Sequence, residues 1–252
     1  MIIAQISDTH LLLDGPDGQQ RLADFNAVID DINALDPAPD AIVHTGDIVH
    51  NGRADEYAAA AEILGRAKAP VYVMAGNKDD RAGLRAVFSC DGYLADEDTF
   101  IEYDVEELPV RLLMLDTVNM GSPKGTYCTR RIARLQKTLA NDTDKPTAVF
   151  THHPPFEVFV GPERFHFDDL DVMARLADTL KGSPHVIGLF CGHVHRPTFA
   201  QVGAIPATVI PSVATALRYG DYPACMATKP IYFVHRLNAP YGFTTETHIA
   251  GH

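Results

Sequence analysis

The chain has 252 residues, 46% of them hydrophobic, and a formal net charge of −12. That length fits one large α/β domain or two small ones, and Gly and Pro spread evenly without a linker favour a single domain over residues 1–252. The acidic balance argues against nucleic acid or an anionic membrane as partner, because the far field repels both.

Ile2–Ile6 is an apolar, β-rich run that reads as a strand, and Asp8-Thr9-His10 follows it directly. Residues 11–20 are rich in turn formers and read as a loop. Residues 21–35 place Leu22, Phe25, Val28, Ile29 and Ile32 at helical spacing. Pro37 and Pro39 end that helix before a second strand, Ala41–Val43, which leads to Gly46-Asp47. An Ala-rich helix over 54–67 and a third strand, Val71–Met74, repeat the cycle and end in Gly76-Asn77-Lys78-Asp79. Such a βαβαβ opening implies parallel strands with right-handed crossovers.

The middle of the chain changes character. Phe100–Val105 and Val110–Leu115 read as adjacent strands, and Thr129 as the cap of a helix over Arg130–Leu139. Ala148–Phe150 leads into His152-His153-Pro154, a helix spans about Asp169–Leu180, and Val186–Phe190 leads into Gly192-His193-Val194-His195. Short strands follow at 199–202, 208–210, 231–236 and 243–249. The expected architecture is a four-layer α/β/β/α sandwich of two mixed sheets flanked by helices. Its strand-rich C-terminal part, 197–252, offers a surface for a homodimer. No run approaches the ~20 apolar residues of a membrane-spanning helix. The cysteines at 90, 128, 191 and 225 form no CxxC pair and read as buried free thiols. With no leader-like N-terminus, a cytoplasmic location is expected.

Each of the five polar motifs stands where a strand should end, and ligands of open α/β sheets bind beyond the carboxyl ends of the strands. Asp8 and His10 lie two apart, so their side chains can point the same way. A carboxylate at Asp47 has two oxygens and can hold two cations. Asn77 adds a neutral oxygen donor. His193 and His195 alternate around Val194, with Gly192 ahead of them to admit close backbone approach. Of His152 and His153, one serves as a ligand and the other is left to hydrogen-bond behind it. Carboxylate, amide oxygen and imidazole together suit two ions such as Mn, Fe, Zn or Co.

These blocks, across residues 8–195, resemble the calcineurin-like metallophosphoesterase superfamily, whose pattern is DxH, GDxx, GNH(D/E), a (G/H)H block and GHxH. The THHPPF and GHVHRP stretches look closest to the bacterial class III cyclic nucleotide phosphodiesterase and glycerophosphodiesterase branch. The resemblance implies one metal on Asp8, His10, Asp47 and His195, and another on Asp47, Asn77, His152 and His193. It also implies hydrolysis of small phosphodiesters by attack of metal-activated hydroxide. A phosphomonoesterase or pyrophosphatase, and an inactive scaffold, are the alternatives.

The chain departs from that pattern at Lys78, where the family usually has histidine. Lysine still donates to phosphate, as a point charge on a flexible stem, and acts either as general acid or electrostatically alone. Arg196 is a candidate for the phosphoryl group. Arg164 and His166, in the aromatic stretch 156–168, are candidates for substrate contact.

Overall fold

The computed structural model describes residues 1–89, 92–94, 99–160, 162–238 and 242–251, the side chains of residues 163 and 164 apart. The first half alternates β1 (Ile2–Ile6), α1 (Gly15–Asn33), β2 (Ala41–His44), α2 (Ala54–Leu64), β3 (Val71–Val73) and α3 (Arg81–Phe88). Then come β4 (Tyr103–Val105), β5 (Arg111–Leu115), α4 (Thr129–Ala140), β6 (Thr147–Thr151) and a small hairpin of β7 (Phe159–Val160) and β8 (Glu163–Arg164). The chain closes with α5 (Leu170–Lys181), β9 (Val186–Cys191), β10 (Thr198–Val202), β11 (Ile205–Val209), α6 (Ala224–Ala227), β12 (Ile231–Leu237) and β13 (Phe243–Ile249).

Two sheets result. One has the order β13-β12-β1-β2-β3 and the other β10-β11-β9-β6-β5-β4. β1, β2 and β3 run parallel, as do β5, β6, β9 and β11, while the outer strands pair antiparallel. Alternation along β5 shows how the layers stack, since successive side chains of a strand face opposite ways. Leu112 and Met114 join the core shared with Ile3, Val43 and Val73 of the other sheet. Leu113 and Leu115 join a second core under Ile132 and Leu135 of α4 and Leu176 and Leu180 of α5. The apolar faces of α1 and α2, with Phe25, Ile29, Tyr57 and Ala60, cover the first sheet. The four-layer sandwich is therefore the observed fold.

Three local expectations need correction. α1 starts at Gly15, so much of the supposed loop 11–20 is helical. Pro16 stands in the first turn, where its missing N–H costs nothing. Gly18 packs so near Leu12 that a Cβ there would lie 2.6 Å from the Leu12 carbonyl oxygen. The cap of α4 is Cys128 rather than Thr129. Of the cysteines, Cys191 is buried and free, but Cys128 and Cys225 are free and exposed, and Cys90 lies outside the described residues. Among the described residues, no helix is long and apolar enough to cross a membrane.

One buried acid sits away from the motifs. Glu102 accepts a hydrogen bond from Tyr127 Oη at 3.0 Å and lies 4.0 Å from Arg134 Nε. Burial pushes its carboxyl up to about 7 from an ordinary 4.5. The folded state thus holds this proton more tightly than the unfolded chain, and the group weakens the fold as pH rises from 4.5 through 7. Glu102→Gln removes that cost. We expect it to raise stability by about 1–2 kcal/mol at pH 8 and to change little at pH 4.5, measured by urea unfolding at both values. Equal effects at the two pH values would refute the assignment.

Candidate metal centre

Parallel pairing brings the five motifs to the carboxyl ends of β1, β2, β3, β6 and β9. The turns after β1 and β2 lie side by side: Asp8 N donates to Gly46 O at 3.0 Å, and His10 N to Asp47 O at 2.9 Å. Bonds between the motifs also join the sheets. His193 N donates to Asp8 Oδ2 at 3.0 Å, and His152 Nδ1 to Thr45 O at 2.8 Å. Small residues allow this closeness. A Cβ on Gly76 would collide with the Asp47 amide and carboxylate, and one on Gly192 with Ser7 Oγ.

The backbone at these turns is strained in a telling way. Asp8, His10, Asp47, His193 and His195 have φ of 55°, 42°, 52°, 72° and 57°, in the left-handed region that L side chains rarely adopt. Such conformations persist where the surroundings over-determine them, and they cluster at functional sites.

Asp8, His10, Asp47 and His195 bring their ligand atoms within 4.8 Å of one another, as do His152, His153 and His193. His10 Nε2 and His195 Nε2 are 3.0 Å apart, and Asp8 Oδ1 is 3.2 Å from His195 Nε2. Asp47 stands between the groups. Its Oδ2 lies 3.5 Å from His10 Nε2, and its Oδ1 lies 3.5 Å from His152 Nε2. Asn77 Oδ1 is 3.2 Å from His152 Nε2, on the same side.

Hydrogen bonds distinguish the adjacent histidines. A carbonyl oxygen only accepts, so His152 Nδ1 carries the proton toward Thr45 and the neutral ring's lone pair is on Nε2, facing Asp47 and Asn77. His195 likewise donates from Nδ1, to Leu217 O at 2.9 Å, which turns its Nε2 toward Asp8. His153 has no nitrogen to spare: Nε2 donates to Pro123 O at 3.2 Å and Nδ1 meets Thr117 Oγ1 at 2.9 Å. His153 therefore packs behind the site, 4.4 Å from the His193 ring by centroids.

The electrostatics are those of a site built for cations. Burial holds His10, His152, His153 and His193 below the usual imidazole range, so they are neutral donors of lone pairs. Burial also opposes charge on His195, but the adjacent Asp8 outweighs it and lifts the ring above its ordinary value. Asp47 is pushed up to about 8 by burial and by the charge of Asp8, against the bond that Lys78 N donates to its Oδ1 at 2.7 Å.

The candidates for substrate contact scatter more widely. Lys78 is exposed at a cleft of about 320 Å³ that Asn77, Met120 and Ser122 also line. Arg196 is exposed and lies along the turn at Gly220, where a Cβ would be 3.8 Å from Arg196 Nε. His166 is not on an open rim. Its ring is buried under the β7–β8 hairpin, with Nδ1 at 3.3 Å from both the N and the O of Val158. Arg164 lies in β8 opposite Phe159, and its side chain falls outside the described residues.

Two supports escaped the sequence reading. Asp79 was visible in its motif but had no role. Its carboxylate accepts from Gly76 N at 2.9 Å, Ile48 N at 3.2 Å and Val49 N at 3.3 Å, tying the turns after β2 and β3 together. Ser212 Oγ donates to Asp8 O at 2.7 Å, from a loop with no motif of its own.

The calcineurin-like phosphoesterase family model matches residues 1–197. The chain belongs to that family. This phosphoesterase is 32% identical over 260 residues to a probable glycerophosphodiester phosphodiesterase, GpdQ, of Arcobacter nitrofigilis, spanning 100% of this chain and 94% of that protein. A probable cyclic nucleotide phosphodiesterase of Rhodococcus erythropolis is 31% identical over 219 residues, 83% of this chain and 70% of that one. In fold, the chain matches a dimetal phosphatase from Danio rerio with a TM-score of 0.72, covering 100% and 99% of the two chains at 13% identity. Calcineurin-like phosphoesterases use a binuclear divalent metal centre, and this chain has two side-chain groups that fit one. The buried Asp8 Oδ1 has no hydrogen-bond partner, and two imidazole nitrogens face it.

Two variants test the scaffold of the site. Gly76→Ala should displace Asp47, and Asp79→Asn should loosen both turns. Each should lower Mn²⁺ affinity by about 10–100-fold, as loss of supporting groups around metal ligands does. Metal content after loading and dialysis, with circular dichroism as a check on folding, would show it. Wild-type content in folded Asp79→Asn would remove Asp79 from this role.

Proposed function

We propose that this phosphoesterase hydrolyses small phosphodiesters, glycerophosphodiesters or cyclic nucleotides, at two divalent cations such as Mn, Fe or Zn. Asp8, His10, Asp47 and His195 would hold one, and Asp47, Asn77, His152 and His193 the other. The observation that carries this reading is Asp47, which offers one carboxylate oxygen to each group. When bound, such a pair of cations lowers the pKa of water and neutralises charge on phosphoryl oxygens.

The chain's own groups do the positioning. The Thr45 and Leu217 carbonyls hold His152 and His195 in the tautomer that turns Nε2 inward. Lys78 N fixes Asp47 Oδ1, so the turn that carries Asn77 also sets the orientation of the shared carboxylate. The Lys78 ammonium, exposed on the Asn77 side, supplies positive charge to the phosphoryl group as it gains negative charge. Full-length similarity to a protein described as a diesterase supports diesters over monoesters.

Mn²⁺-loaded protein should cleave bis(p-nitrophenyl) phosphate faster than p-nitrophenyl phosphate. Faster cleavage of the monoester would replace this substrate class with a phosphomonoesterase or pyrophosphatase. Asp47→Ala and His193→Ala should each lower kcat/KM by about 100-fold or more, and Lys78→Ala by roughly tenfold, less than loss of a rigidly placed donor because its charge sits on a flexible stem. Full activity in a folded Asp47→Ala variant would sink the two-cation reading.

A further inference from the structure

A groove beside His195 is left unused by the functional reading above. It has a volume of about 380 Å³ and runs from Arg196 past Tyr219 and Tyr222 to Phe199 and Phe233. One of its lining residues, Tyr219, touches the candidate metal centre. The Tyr219 ring stacks on His195, with centroids 6.0 Å apart and 28° between planes, and Tyr219 N donates to His195 O at 3.0 Å. Phe165 lies 5.7 Å from the Tyr219 ring and 6.1 Å from the His193 ring. One aromatic pair thus stands against a histidine from each ligand group.

The groove also keeps apolar surface and donors in reserve. Phe199 is 66% exposed and Tyr219 43% exposed. Exposed aromatics gathered around one concave surface mark a binding site more often than chance does. Tyr222 Oη is buried without a hydrogen-bond partner, which is costly unless something supplies one. The Arg196 guanidinium has no ion-pair partner among the described residues. Arg218 lies over the other aromatic wall, its Cζ 4.8 Å from the Tyr222 ring centroid.

We propose that this groove holds the organic group of the diester, and that the group it takes is a planar ring bearing hydrogen-bond acceptors, as a nucleobase does, rather than glycerol. The inference rests on the phosphodiesterase reading. Glycerol has no π face to set against Tyr219 and little apolar surface to bury beside Phe199. A heteroaromatic ring stacks on tyrosine whatever its sequence identity. Its carbonyl and ring-nitrogen acceptors match the two donors available, the Tyr222 hydroxyl and the Arg196 guanidinium. Tyr219, Tyr222 and Arg196 then determine specificity, while the phosphoryl group sits at the centre.

Two p-nitrophenyl diesters with the same leaving group test this, the thymidine 5′-ester and the ethyl ester. Mn²⁺-loaded wild type should favour the thymidine ester in kcat/KM by about tenfold or more, the order that one base–aromatic stack supplies. Tyr222→Phe and Arg196→Met keep shape and should each lower that preference about threefold, the order of one modest hydrogen bond. Tyr219→Ala should abolish it. As a readout apart from turnover, thymidine should bind wild type in calorimetry and should not bind Tyr219→Ala. Equal kcat/KM for the two esters in wild type, or a preference that survives Tyr219→Ala, would overturn the proposal. Cleavage of neither diester by metal-loaded protein would instead overturn the phosphodiesterase reading beneath it.

Discussion

Two buried carboxylates set the terms for the structure around them. Asp8 and Asp47 are essentially inaccessible, and among the described residues neither pairs with arginine or lysine. Their charged neighbours are imidazoles, most of which burial keeps neutral. A carboxylate taken out of water needs a countercharge or a proton. The polypeptide meets part of that need by keeping a proton on Asp47 up to about pH 8. Cations meet it better, because the Nε2 atoms of His10 and His195 and the Asp8 Oδ1 atom already converge on a common point. An arrangement this costly without metal follows if metal is the state it serves.

Holding those carboxylates in place is the task of the strand ends. The two sheets are bound at their carboxyl edges by His193 N to Asp8 and His152 Nδ1 to Thr45, so neither sheet completes the site by itself. Left-handed backbone at five of the candidate ligands turns the side chains inward directly after extended strands. Gly76 and Gly192 then let the turns approach closer than any side chain would permit. Asp79 secures the result from behind with three backbone bonds. The geometry of the centre is thus a property of turns packed on turns, with the strands as a rigid frame.

Much of this was legible in the sequence. Parallel strands announce themselves as short apolar runs, and a polar motif after each one locates the rim without knowledge of the topology. What stayed hidden depends on partners distant in the chain. His152 and His153 are indistinguishable by type and position. Thr117 and Pro123, some thirty residues earlier, occupy the nitrogens of His153 and so leave the inward role to His152. Ser212 reaches Asp8 from a loop with no periodicity to betray it. His166 looked available because aromatics surround it, yet one of them, Phe159, belongs to a hairpin that packs against its buried ring. The start of α1 was misread for a related reason: Gly18 signals close packing against Leu12, which composition alone cannot tell from a turn.

The replacement of the usual histidine by Lys78 bears on how the two halves of the site divide their work. An imidazole is a donor of fixed direction, whereas an ammonium on four carbons reaches a range of positions and favours charge over geometry. A centre with such a residue on the Asn77 side gains little discrimination there. The opposite side, beyond His195, is rigid by comparison. Tyr219 is fixed to His195 by a backbone bond and a stacked ring. Selectivity among diesters belongs where the walls cannot adapt, because a flexible contact yields to whatever arrives. Charge neutralisation tolerates a mobile group, and recognition of a ring does not.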